Sequence, residues 1–86
     1  MSYAILINPY TKELKLTKTV SSFKPPKEII FKPFFNRERE HDEVFFIFEN
    51  GELKKLRGLY VVIGKEINDD VVKKIEKKIV WCGKRW

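Results

Sequence analysis

The sequence predicts a small α+β domain: one antiparallel sheet of four to five strands with a single C-terminal amphipathic helix packed on it. Three observations carry this. Ile and Val together number sixteen, six of the seven Phe fall between residues 31 and 48, and Ala occurs once. Such a balance favours strands over helices. Second, Asn50-Gly51 follows directly on an apolar run, and Asn-Gly takes the two positive-φ positions of a type I′ hairpin turn. Third, apolar residues near the C-terminus recur at helical spacing.

Taken in order, residues 3–7 form a short apolar strand, followed by the turn-rich Asn8-Pro9-Tyr10-Thr11-Lys12. Leu14, Leu16 and Val20 then alternate with polar residues, a half-buried strand paired back on the first. Residues 21–27, with Pro25-Pro26, form a loop, and residues 28–32 a third strand halted near Pro33. Residues 36–43 contain no apolar side chain and are expected to be a solvated loop. Residues 44–48, Val-Phe-Phe-Ile-Phe, are apolar on both faces, which suits a central strand covered on two sides. Residues 53–57 return antiparallel to them through the Asn50-Gly51 turn. Gly58 marks a bulge or kink before residues 59–63, either another strand or a continuation of the same one.

The helix has the clearest signals. Asn68 is a good N-cap, Asp69 and Asp70 place negative charge in the first turn, and Gly83 is suited to end it. Ile67 and Val72 occupy the positions that staple the cap. Val71, Val72, Ile75, Ile79 and Cys82 fall in one arc, the stripe expected to pack on the sheet.

Size and composition bound the function. Eighty-six residues suit one domain, spanning 1–86, with a modest core. The longest apolar runs have five residues, whereas a spanning helix needs about 20 and a signal-peptide core about 7–15. A single cysteine excludes an internal disulfide and any zinc framework. A cytoplasmic location is expected. The absence of Gln, with abundant Lys and Glu, resembles hyperthermophile composition. Codon bias in an AT-rich genome gives the same enrichment in Lys and Ile.

Catalytic readings thin quickly, and the expectation is a non-enzymatic protein with no cofactor and no metal. His41 stands among Glu38, Glu40, Asp42 and Glu43, but in a strand it would point away from three of them. No nucleophile elbow, Walker loop, dinucleotide fingerprint or zinc-protease motif occurs. Cys82 lies on the apolar stripe, where a thiol behaves as a small hydrophobe. Gly64-Lys65 resembles the start of a phosphate cradle, but Asp69 and Asp70 would repel the anion.

Charge is more informative. The chain carries 18 Lys and Arg against 12 Asp and Glu, a net +6. The excess lies on residues 1–32 and on the helix, with an acidic loop between, and such segregation can steer polyanions. On the helix, Lys73, Lys74, Lys77 and Lys78 project away from the apolar stripe, Trp81 falls between Lys74 and Lys77, and Arg85 follows. An aromatic ring flanked by lysines suits stacking on bases while ammonium groups meet phosphates. Nucleic-acid association with little sequence specificity is therefore the expected function, through these six residues. The alternative is a protein-interaction module, a regulator or inhibitor, anchored by Phe34, Phe35, Trp81 and Trp86, since aromatics dominate binding hot spots. A homodimer through a sheet edge is compatible with either. The Phe-rich segment resembles a base-stacking sheet, but it lacks the RNA-recognition consensus, so its rings are expected to form the core.

Overall fold

The computed structural model describes residues 2–34 and 43–81. It is mostly β. The order is β1 (Tyr3–Asn8), β2 (Glu13–Lys18), β3 (Ile30–Pro33), β4 (Val44–Glu49), β5 (Glu52–Arg57), β6 (Tyr60–Ile63), α1 (Asp69–Lys78) and β7 (Ile79–Trp81). These strands make two antiparallel sheets, β2-β1-β6-β3 and β5-β4-β7. The expected single sheet of four to five strands in an α+β domain is thus corrected, among the described residues, to seven strands in two sheets with one short helix.

The first hairpin follows from its turn. Asn8 Oδ1 accepts hydrogen bonds from the Tyr10 and Thr11 N–H groups at 3.0 and 3.3 Å, an Asx-type turn. Lys12 completes it at φ 59°. The register that results sets Ile5 opposite Leu16 and Ile7 opposite Leu14, so one face of the hairpin is aliphatic.

The second sheet arises from a corner. Residues on either side of Gly58 were expected to lie in one sheet, but β5 belongs to the three-stranded sheet and β6 to the four-stranded one. Gly58 has φ 80°, a conformation open to glycine and costly for other residues. Its N–H donates to the Glu43 carbonyl at 2.8 Å, and the Phe34 N–H donates to the Leu59 carbonyl at 2.9 Å. These two bonds carry the β3–β6 ladder over into the β4–β5 ladder. Between them, residues 35–42, which hold most of the predicted charged loop and His41, lie outside the described residues.

The helix begins as expected. Asn68 caps it, its Oδ1 accepting from the Val71 N–H at 3.1 Å. It ends earlier than expected, at Lys78 rather than near Gly83. Ile79 leaves the helix at φ −90° and ψ 135°, its N–H donating to the Glu76 carbonyl. Residues 79–81 then pair with β4, Ile79 with Ile47, Val80 with Phe46 and Trp81 with Phe45. An Ile-Val-Trp triplet prefers extended backbone, and the edge of β4 offers a full set of backbone partners, so tertiary pairing overrides the helical period.

The core lies between the sheets and under the helix. Ile5, Ile7, Tyr60 and Val62 come from one sheet, Phe45 and Ile47 from the other, and Ile67 and Ile75 from the helical segment. Leu56, Ile79 and Trp81 pack against this cluster from the sides. Among the described Phe expected to form the core, only Phe45 is fully buried.

Candidate nucleic-acid interface

The structure divides the predicted Lys–Trp surface. Lys73, Lys74, Lys77 and Lys78 are all exposed on α1. Two of them, Lys74 and Lys78, also border a cavity of about 210 Å³ together with Ile29, Phe31, Ile47, Glu49, Val71 and Ile75. Their stems lie along apolar surface there, as amphipathic side chains do. Asp69, Asp70 and Glu76 stand on the same helix and offset most of its charge.

Trp81 is not on the helix. It sits in β7, half-buried, its ring 5.7 Å from that of Phe45 at 50°. The ring packs in part against the core, and its position in β7 corrects the expected placement between the helix lysines. Arg85, Trp86, Phe35 and Cys82 lie outside the described residues. Phe34 is 53% exposed just beyond β3, so of the predicted anchors it alone is described on the surface.

A different surface emerges from the register of the three-stranded sheet. A two-residue turn with Asn50 at φ 53° and Gly51 at φ 78° pairs Glu49 with Glu52. From that pair the register follows: Phe48 opposes Leu53, Phe46 opposes Lys55, and Val44 opposes Arg57. On the other side of β4, Phe46 opposes Val80. Because strand side chains alternate, Phe45, Ile47, Glu49, Glu52, Lys54, Leu56, Ile79 and Trp81 share one face, and Val44, Phe46, Phe48, Leu53, Lys55, Arg57 and Val80 share the other. The first set contains the core residues. The second faces outward.

This outward face corrects the expectation that residues 44–48 are covered on both sides. Phe48, Leu53 and Val80 are 51%, 54% and 50% exposed. Its strand positions hold Lys55 and Arg57 and no carboxylate, whereas both acids of the hairpin, Glu49 and Glu52, occupy the opposite parity. There Glu49 pairs with Lys54 at 3.4 Å. Two rings of the Phe-rich segment that are expected in the core, Phe46 and Phe48, lie on this face. Among the described residues, no group of three or more His, Cys, Asp or Glu comes together as a metal site would need. No described helix is long and apolar enough to cross a membrane.

No protein-family model matches the chain, and neither a curated protein nor a solved structure matches it.

Proposed function

We propose that this is a non-enzymatic cytoplasmic protein that associates with nucleic acid, with little sequence specificity, through the outward face of the β5-β4-β7 sheet. The observation that carries the proposal is the make-up of that face: Phe46 and Phe48 on β4, Lys55 opposite Phe46 and Arg57 opposite Val44 on β5, with no carboxylate at any of its strand positions. Cations that reach phosphates neutralise them and release counterions, the sequence-independent part of nucleic-acid affinity. Aromatic rings among them accept bases without selecting one. The net +6 and the helix lysines add long-range attraction rather than the contact itself.

The test is a titration of labelled DNA and RNA with the full chain, read by anisotropy at about 50 and about 200 mM salt. Affinity that falls as salt rises supports the proposal. No binding at the lower salt overturns it.

A further inference from the structure

Resting on that proposal, we infer that the ligand is a single strand laid along the β4–β5 hairpin, its bases over Phe46 and Phe48 and its phosphates along Lys55 and Arg57. The register supplies the geometry. On β4, Phe46 and Phe48 are two residues apart on one face, a separation of about 6.5 Å. On β5, Lys55 stands opposite Phe46 and Arg57 opposite Val44, in a column beside the first at about 4.8 Å. The two rings and the two cations therefore stand in adjacent columns that overlap at Phe46 and Lys55, with Leu53 opposite Phe48 and Arg57 one step further along, so that a strand laid along the hairpin meets rings at one end and cations at the other.

A duplex does not fit this surface. Its bases are stacked about 3.4 Å apart and show only their edges in the grooves. A single strand can unstack and turn its base faces onto rings. Charge favours a polyanion over a second copy, since the strand positions of this face bring two cations and no carboxylate to the contact.

The experiment compares oligo(dT) and oligo(U) of about 12 nucleotides, a length within the footprint of small single-strand binders, with a duplex of equal phosphate number. The full chain and its Phe48→Ala and Phe48→Trp variants are titrated with each probe. Phe48 is half exposed, so both variants should keep the fold, which circular dichroism checks. The expected result is single-strand binding at least about 10-fold tighter than duplex binding, and about 5- to 100-fold weaker in Phe48→Ala. Phe48→Trp should retain it, its new fluorescence quenched on binding. Both single strands bound alike places recognition on phosphate and base; oligo(U) alone bound places it on the ribose hydroxyl, within the same class. Equal binding of duplex and single strand with no effect of Phe48→Ala overturns the inference and leaves nucleic-acid association standing. No binding of any probe overturns the association itself. A dimer in sedimentation that Phe48→Ala dissolves also overturns the inference, since the face would then be covered by a second copy.

Discussion

Phe45 and Trp81 stand directly opposite each other across β4 and β7, their ring centroids 5.7 Å apart at 50°. The same Phe45 ring meets Tyr60 of the other sheet at 5.9 Å and 82°, edge to face. Phe45 therefore links three strands and both sheets, in geometries that aromatic pairs favour. The segment leaving the helix is held by this contact as well as by the ladder. Trp81 thereby has a packing role that the sequence does not assign to it.

Trp81→Ala should accordingly lower stability, by about 2–4 kcal/mol, the lower part of the range for emptying a large aromatic site because the ring is only half-buried. Urea denaturation measures it. The folded variant should bind nucleic acid as the parent does. An unchanged midpoint with lost binding would return Trp81 to the surface role the sequence suggests.

Gly51 and Gly58 separate two costs of a side chain at positive φ. At Gly51 an added Cβ meets nothing within 4 Å, so Gly51→Ala should cost only the backbone strain, about 1–2 kcal/mol. Gly58 has a similar φ but is buried at the corner where β5 passes into β6, so Gly58→Ala should cost more. Chemical denaturation of the two variants side by side checks the order. Equal losses would mean that the corner tolerates a methyl group.

Much of the local structure is legible in the sequence: the Asn8-Pro9 turn, the Asn50-Gly51 hairpin and the Asn68 cap all stand where their residues predict. These signals are short-range, set by backbone conformations that few side chains permit. Assignment of strands to sheets is not legible, because pairing of β1 with β6 and of β4 with β7 depends on contacts distant in the chain. The helix end is not legible for the same reason; Ile79 fits the helical stripe and the edge of β4 equally well by pattern. The outward face was within reach. A two-residue turn fixes which residues of β4 and β5 share a side, and that parity already sends Glu49 and Glu52 away from Lys55 and Arg57. What hid it was the five-residue apolar run, whose composition alone implies cover on both faces.

The Asn68 cap gives a separate check on the helix. Its Oδ1 satisfies the Val71 N–H, one of the amides that a helix N-terminus leaves without a partner. Asn68→Ala should cost about 1 kcal/mol. In a domain of this size that is a fall in Tm of about 4–8 °C. Asn68→Ser should recover most of it, since a hydroxyl accepts the same bond. A loss that Ser does not recover would point to packing rather than capping.

The sharpest division between the two candidate surfaces is the salt dependence of binding. Each phosphate contact contributes about 0.7 to the slope of log affinity against log salt on a single strand, so a lysine that touches phosphate carries a measurable share of that slope. A lysine more than a Debye length from the strand is largely screened at these salt concentrations and contributes little to the slope. Lys55→Ala should therefore reduce the slope by about 0.7, whereas Lys73→Ala with Lys77→Ala should leave it almost as it was. All three side chains are exposed, so none of these changes should unfold the protein. If the helix pair instead removes about 1.4 from the slope and Lys55→Ala removes none, the strand lies along α1, and the outward sheet face is not the contact surface.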